Sequence, residues 1–327
     1  MLLPMFAESL LIENGILLIS ALILVTSLWG DKWLGEPVRF HPLVGFGLWA
    51  NQVEKQCRAL PFLTIKQQGI MAWFIAVIPI VMLCYFLLNL FLSLSIWLWV
   101  FANVAIVYLT IGGHSLLQHA DNIYRPLMRG DVEQARYHVS RIVSRNTENM
   151  TEDKIVSSTI ESVLENGNDA VFAPMVWFLL LGGPGALLFR LVNTLDAMWG
   201  YKNEKYVLFG WCSAKIDDLF GWLPARITAI VYAVQGDTRQ AFQCWFTQAK
   251  YCKSPNGGVV MTAGAGTLGI TIGGPTYYDG VLEDKKPMGV GHRATANAIV
   301  AANRLVDKGS FGLSYLWLFS ILISLAV

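Results

Sequence analysis

Residues 69–113 form a long, predominantly apolar segment that contains no Asp, Glu, Lys or Arg. A helix that crosses the hydrocarbon core of a bilayer needs roughly 20 apolar residues. The segment therefore predicts two spanning helices, at about 69–91 and 93–112, joined by a tight turn near Asn89 to Ser95. So long an uncharged run strongly restricts the folds available to the chain, and a membrane protein accommodates it directly.

The composition supports this prediction, because 54% of the 327 residues are hydrophobic and only 14% are charged. Soluble domains carry about 25% charged residues. Residues 10–29 and 311–327 are apolar and long enough to form two further spans. No internal repeat or low-complexity linker is evident, so we expect one polytopic membrane domain covering residues 1–327.

The distribution of basic residues predicts the orientation of these spans. The segment 30–68 carries five Lys and Arg residues, whereas residues 1–9 carry none. The positive-inside rule places the 30–68 segment in the cytoplasm. Two spans then return the chain there, and a helical cytoplasm-facing region over 114–310 follows. We expect a multi-pass protein of the inner (cytoplasmic) membrane. The scattered basic residues and the net charge of +1 predict no nucleic-acid surface.

A further apolar stretch, residues 170–191, is interrupted by Pro174 and by GGPG at 182–185. If this stretch crossed the membrane, the lysines that follow it would lie outside, against the charge bias. Irregular backbone is tolerated at membrane depth where protein surrounds it. We therefore favour a broken or re-entrant helix over a true crossing. The predicted fold class is an all-α integral membrane protein with about four transmembrane helices, broken or re-entrant helices and a helical cytoplasm-facing region.

Local signals predict two helices in this region. Thr151 is a candidate N-cap, and acidic residues follow it in the first helical turn. The alanine-rich segment 292–307 predicts a helix that ends before Gly309. The five cysteines form no CxxC pair, which indicates reduced thiols or core residues. The histidines show no metal-site spacing, so no structural zinc is predicted.

The first polar cluster contains Glu161 and Glu165, four residues apart on one helix face, with Asp169 shortly after. One interpretation is a Mg²⁺ or Mg–nucleotide site, because hard cations take oxygen ligands and often use only one or two carboxylates plus phosphates. The alternative is a solvated helix face, which the residues alone favour slightly.

The second polar cluster begins with Arg190, Asn193 and Asp196, which recur every third residue and share one side of a helix. Asp217, Asp218 and Arg226 follow between apolar segments. Ionisable residues at membrane depth indicate function. At the membrane interface, however, the same residues serve as caps or reach toward water, and both interpretations stay open here.

Three further features have competing explanations. Arg145 follows a helix rich in arginine, which suits phosphate recognition or a helix beside anionic lipid. GAGTLG at 264–269 matches GxGxxG, but without a βαβ unit it favours close helix packing through small residues. KSPNGG at 253–258 is a turn whose backbone amides could hold an anion.

Several strings together resemble one family, the adenosylcobinamide-phosphate synthases of cobalamin biosynthesis (CbiB/CobD). The strings are GEPVRFHPLVGFG (35–47), SRNTE (144–148), IESVLENGNDAVFAPMVW (160–177), the run from GGPG to PARITAI (182–230), SPNGG (254–258) and LGITIGGPTYYDG (268–280). The resemblance covers about residues 30–290, and its central run is long and specific.

This resemblance implies an inner-membrane enzyme that uses ATP and Mg²⁺. It joins a carboxylate of adenosylcobyric acid, a corrinoid, to the amine of aminopropanol phosphate or a related amino alcohol. The product is an amide, formed most simply through an acyl phosphate. Mg²⁺ and arginine would neutralise the transferred phosphoryl group, and a carboxylate would take the ammonium proton.

The resemblance also covers the candidate site residues, to which we assign roles as hypotheses. The catalytic candidates are Asn193, Asp196, Asp217 and Asp218. The candidates for ATP binding are Arg39, Arg145, Arg226, Ser254 and Asn256, and those for the metal are Glu165 and Asp169.

The chain departs from the family pattern at a few positions. Asn146 stands where an aspartate is usual, Ala170 and Gly257 stand where glycine and alanine are usual, and residues 259–261 carry no acid. These departures bear on the amine substrate and leave the central run intact.

Two other interpretations compete with an enzyme. One is a non-catalytic membrane regulator of the AmpE-like type, which needs the membrane helices but not the acidic residues. The other is a corrinoid transporter, against which the spans at 69–112 offer few polar residues to line a pathway.

Overall fold

The computed structural model describes residues 2–37, 41–143, 146–278, 281–283 and 285–326. Twelve α-helices dominate these residues. They are α1 Leu2–Leu34, α2 Pro42–Arg58, α3 Ile65–Leu94, α4 Ile96–Thr110, α5 Gly113–Met128, α6 Val132–Val139, α7 Glu152–Gly167, α8 Ala173–Trp199, α9 Trp211–Ala233, α10 Thr238–Gln248, α11 Gly257–Leu268 and α12 Ala296–Ala326. The chain is an all-α integral membrane protein.

Five helical segments in the described residues are long and apolar enough to span a bilayer. They are Gly15–Leu34, Ile65–Leu94, Ile96–Met128, Glu152–Trp199 and Ala296–Ala326. Four of them overlap the spans expected at 10–29, 69–91, 93–112 and 311–327. The fifth, Glu152–Trp199, contains the stretch 170–191, and whether it crosses a membrane stays a prediction.

The chain divides into two compact units, each built from separated segments. The first unit comprises Met1–Ile111, Pro174–Leu219 and Ser310–Val327, and the second comprises Gly112–Ala173 and Phe220–Gly309. The expectation of one polytopic membrane domain stays a prediction.

In the first unit, α3 and α4 form the helical hairpin expected for residues 69–113. Thr64 begins α3 with a capping box that it shares with Gln67. Ser95 ends α3, and its hydroxyl accepts a hydrogen bond from Trp97 N–H at the start of α4. The predicted turn near Asn89 to Ser95 is therefore confirmed, because one extended serine ends one apolar helix and caps the next.

Helix α8 is interrupted within the GGPG segment, as predicted. Gly182 has φ 67° and ψ −158°, a conformation outside the helical region, and Pro184 cannot donate a backbone hydrogen bond. Gly183 N–H is buried and donates to Asn103 Oδ1 of α4 at 3.2 Å. The side chain of Asn103 thus satisfies a backbone group that the break leaves without a helical partner.

In the second unit, α7 continues into a π-helical turn at Asn168–Phe172. Thr151 does precede α7, but its side chain makes no capping hydrogen bond. Helix α11 is buried almost throughout. A Cβ on Gly264 would lie 2.6 Å from Leu164, and one on Gly266 would lie 2.9 Å from Ala241. The GAGTLG segment is therefore a helix-packing surface.

Among the described residues of the second unit, five short strands lie within 270–293, a region where the sequence shows little strand pattern. They are β1 Ile270–Gly273, β2 Thr276–Tyr278, β3 Val281–Glu283, β4 Pro287–Gly289 and β5 His292–Arg293. Strand β1 pairs antiparallel with β4 and parallel with β5, and β2 pairs antiparallel with β3. Strands of two to four residues are too short to show alternation.

The predicted end of the last helix before Gly309 is wrong, because α12 runs without interruption to Ala326. Gly309 is a packing glycine and not a C-cap. A Cβ at this position would lie 2.7 Å from Gln235 Nε2 and 2.8 Å from Val231. The cysteines are all free thiols, and only Cys252 is partly exposed, which agrees with reduced or core cysteines.

The Asn103 side chain generates a test of the break in α8. We expect Asn103→Ala to lower the free energy of unfolding by about 1–3 kcal/mol, because the buried Gly183 N–H loses its acceptor. The thermal unfolding midpoint of the detergent-solubilised protein measures this loss. Asn89→Ala is the matched control, since exposed Asn89 donates to Tyr85 O within its own helix. Equal midpoints for both variants would contradict the assignment.

Candidate active site

The end of α8 and the start of α9 bring four predicted catalytic residues together in the first unit. Asn193 Nδ2 donates a hydrogen bond to Asp217 Oδ1 at 3.3 Å. The carboxylates of Asp196 and Asp218 lie close enough to repel one another. All four side chains are partly buried. Such a pair of neighbouring carboxylates favours a cation, an ammonium group or a proton between them. We call these four residues the acidic cluster.

Gly200 allows Asp196 to occupy this position at the end of α8. Gly200 N–H donates to Asp196 O at 2.7 Å. A Cβ on Gly200 would overlap the Asp196 carboxylate oxygen Oδ1. Because any larger residue would displace this carboxylate, the Trp-Gly sequence that ends α8 is part of the local geometry of the acidic cluster.

In the second unit, Arg226 and Asn256 form a polar contact between α9 and the start of α11. Arg226 Nη1 donates to Asn256 Oδ1 at 2.8 Å. Asn256 is 6% exposed, and a Cβ on Gly221 would lie 2.7 Å from its Nδ2 atom. Partial burial lowers the pKa of Arg226, yet a guanidinium retains its charge in proteins. The contact therefore presents a fixed positive charge.

Ser254 shapes the turn that leads into α11. Its hydroxyl oxygen accepts hydrogen bonds from Asn256 N–H at 3.3 Å and from Gly257 N–H at 2.9 Å. The Glu165 carboxylate of α7 lies against Gly257, where a Cβ would overlap its Oε1 atom. An acidic group is favourable there, because the N-terminus of a helix carries partial positive charge.

Asp169 belongs to a hydrogen-bonded set around the π-helical turn. Asn168 Nδ2 donates to Asp169 Oδ1 at 2.8 Å, and Thr228 Oγ1 donates to Asn168 Oδ1 at 2.9 Å. Burial and then the charge of Asp169 raise the pKa of Tyr232, whose hydroxyl donates to Leu164 O. Asn168 therefore fixes the orientation of the carboxylate.

Glu165 and Asp169 do not by themselves make a complete metal site. Across the described ranges, no three or more His, Cys, Asp or Glu side chains converge in a way that could hold a metal ion. Mg²⁺ commonly takes one or two protein carboxylates together with substrate phosphates and water, so a role for Glu165 and Asp169 in holding this ion stays a prediction.

The remaining predicted site residues, Arg39 and Arg145, lie outside the described residues. The structure adds Gly221, Asn168 and Thr228, which the sequence analysis did not single out. Gly221 had a signal, since a glycine inside a helical pattern often marks a close approach. Asn168 and Thr228 had none, because their contact joins residues 60 positions apart.

Cys252 provides a reporter for the charge of Glu165. Burial, and next the charge of Glu165, raise the pKa of the Cys252 thiol, so its thiolate fraction at pH 8 is small. We expect Glu165→Gln to lower this pKa and to speed alkylation of Cys252 by iodoacetamide roughly threefold in chelator-containing buffer. Mass spectrometry measures the rate. Glu152→Gln, an exposed position on the same helix, is the control, and equal rates would contradict the geometry.

Comparisons with known proteins identify the family. The model of the CobD/Cbib protein family matches residues 24–306. A protein of Chromobacterium violaceum named cobalamin biosynthesis protein CobD is 44% identical over 93% of this chain and 95% of its own length. Proteins of the same name from Stutzerimonas stutzeri and Halalkalibacterium halodurans are 44% and 34% identical, over 85% and 91% of this chain and 90% and 93% of their own lengths. No solved structure matches significantly. The chain therefore belongs to the CobD/CbiB family of cobalamin biosynthesis.

Proposed function

We propose that the chain is an adenosylcobinamide-phosphate synthase, an ATP-dependent ligase that forms an amide bond. Its substrates are adenosylcobyric acid and aminopropanol phosphate or a related amino alcohol. The observation that carries this proposal is the acidic cluster, in which Asn193 holds Asp217 and the carboxylates of Asp196 and Asp218 repel one another. Because the chain belongs to a family of cobalamin biosynthesis proteins, we propose that the substrate of this cluster is a corrinoid.

The proposed reaction has two balanced steps. A corrinoid carboxylate attacks the γ-phosphorus of ATP, the bond to the bridging oxygen breaks, and ADP leaves with that electron pair. The amine of the amino alcohol then attacks the carbonyl carbon of the acyl phosphate, and inorganic phosphate leaves. The ammonium form of the amine loses one proton before the attack and the resulting amide nitrogen loses a second, so a base is needed.

The polar residues of the second unit suit ATP binding. Arg226 is held by Asn256 and presents a guanidinium that can bind a phosphate oxygen. Glu165 and Asp169 would hold Mg²⁺, which neutralises phosphate charge when it is bound. Ser254 contributes by fixing the turn on which Asn256 lies. These residues bind and orient, which is most of what phosphoryl transfer requires of a protein.

The acidic cluster suits the amine. Neighbouring carboxylates attract an ammonium group, and one of them accepts its proton when the nucleophile forms. Asn193 keeps Asp217 in place through its hydrogen bond. A regulator of the AmpE-like type would have no use for neighbouring carboxylates that repel one another, so the cluster favours an enzyme.

Reconstitution of the reaction tests the proposal. We expect purified protein with ATP, Mg²⁺, adenosylcobyric acid and aminopropanol phosphate to yield adenosylcobinamide phosphate and one equivalent of ADP, followed by liquid chromatography and mass spectrometry. Folded protein that forms neither product would overturn the proposal in favour of a regulator. Movement of unmodified corrinoid across proteoliposomes would favour a transporter.

Substitutions in the acidic cluster test the assignment of the site. We expect Asp196→Ala and Asp217→Ala each to lower kcat at least about 100-fold, as loss of a proton acceptor or of its orientation does. Both variants should still insert in the membrane. Asp121→Asn, at a carboxylate in an exposed ion pair with Arg125, is the control. Near-normal turnover in both alanine variants would refute the assignment.

The proposed active site faces the cytoplasm of a cell with an inner membrane. The segment after α8 contains exposed Lys202, and the positive-inside rule keeps it in the cytoplasm. We expect a cysteine introduced at Lys202, in a background without the native thiols, to resist a membrane-impermeant maleimide in intact cells and to react in inverted vesicles. Labelling from outside intact cells would contradict this orientation.

A further inference from the structure

A buried acid that is not among the predicted site residues lies on α2. Glu54 is 6% exposed, and burial of a carboxylate is costly unless partners compensate for its lost hydration. Its Oε1 atom accepts a hydrogen bond from Arg58 Nε at 2.9 Å and pairs with Lys205 Nζ at 3.4 Å. Its Oε2 atom accepts from the Tyr206 hydroxyl at 3.3 Å. Two of these three partners belong to the segment 200–210.

The segment 200–210, which we call the connector, joins the two helices that carry the acidic cluster. Asp196 lies four residues before the connector, and Asp217 lies seven residues after it. Most of the connector is exposed, including Lys202, Lys205 and Val207. An exposed, irregular segment of this kind is mobile unless specific contacts hold it.

Arg58 adds a second set of contacts to the connector. Its Nη2 atom donates to Lys205 O at 2.9 Å, and its guanidinium lies 4.1 Å from the ring centroid of Phe209. Glu54 in turn holds the Nε atom of Arg58. The acid therefore acts on the connector directly, through Lys205 and Tyr206, and also through the orientation of Arg58.

The contacts continue from the connector to the acidic cluster. Phe209 is fully buried and packs edge-on against Trp199, with ring centroids 5.2 Å apart. A Cβ on Gly210 would overlap Trp199 O, and one on Gly69 of α3 would overlap Phe209 O. Trp199 lies one helical turn after Asp196 on α8. The far end of the connector is thus packed directly onto the helix end that positions Asp196.

We propose that Glu54 is a positioning residue for the acidic cluster. By holding Arg58, Lys205 and Tyr206, it fixes the connector and with it the spacing between the end of α8 and the start of α9. The hydrogen bond from Asn193 to Asp217 and the approach of Asp196 to Asp218 depend on that spacing. The proposal rests on the proposed function for its effect on turnover, but not for its effect on the connector.

Limited proteolysis tests the effect on the connector. Trypsin cleaves after lysine, and Lys202 and Lys205 are exposed. We expect Glu54→Gln to speed cleavage at these two sites about tenfold, because local opening limits cleavage of a held segment. Mass spectrometry identifies the products. Asp121→Asn is the matched control, because it also neutralises one acid of an i,i+4 pair with arginine, at an exposed site.

Kinetics of amide formation test the effect on the acidic cluster. We expect Glu54→Gln to lower kcat roughly 10- to 100-fold, as a misplacement of about 1 Å does, while KM for ATP stays within about twofold because Arg226, Ser254 and Asn256 belong to the second unit. If Glu54→Gln only destabilised the protein, its activity would fall by the same factor as the fraction of folded protein, and kcat per folded molecule would not change. Asp121→Asn should retain wild-type kcat.

Each outcome decides the inference. The inference is overturned if Glu54→Gln is cleaved at Lys202 and Lys205 at the wild-type rate. It is also overturned if the wild type is active and Glu54→Gln has the same kcat. If the wild type forms no amide, the proposed function fails, and faster cleavage still shows that Glu54 holds the connector. Should Glu54→Gln not fold, Tyr206→Phe removes one hydroxyl contact to Glu54 and is decided by the same two measurements.

Discussion

The hydrogen bond from Gly183 N–H to Asn103 Oδ1 is the interaction on which the apolar part of this molecule depends. A buried backbone amide without an acceptor is costly, so a broken helix is stable only where another group supplies one. Asn103 is 1% exposed on α4, a helix without charged residues. Its amide allows α8 to break at Gly182 and then continue as a helix to Trp199. The helix end that carries Asn193 and Asp196 is built on that continuation.

The membrane-spanning helices and the break in α8 could be predicted from the sequence because their signals are local. Uncharged length, a serine between two apolar runs and GGPG each act on their own segment. Gly309 shows where this reasoning fails. A glycine after an alanine-rich run normally ends a helix, but here close packing against Gln235 and Val231 explains the residue. Propensity cannot distinguish the two uses, because the neighbours come from distant sequence.

The candidate site divides in the same way. The residue types, and their division into two acidic clusters along the sequence, could be predicted from spacing and from the family resemblance. The contacts of Asn168 with Thr228 and of Glu54 with Tyr206 could not, because they join residues 60 and 152 positions apart. Glu54 lies in an ordinary amphipathic pattern beside Lys55 and Arg58. Only the fold distinguishes it from a solvated surface acid, by burying it against the connector.

The contact between Gly257 and Glu165 has an evolutionary consequence. A methyl group on Gly257 would overlap the Glu165 carboxylate as it is placed in this chain. The residue tolerated at position 257 therefore depends on how the side chain at position 165 is oriented. An alanine at position 257 requires the flexible end of Glu165 to turn aside, so substitutions at these two positions constrain one another.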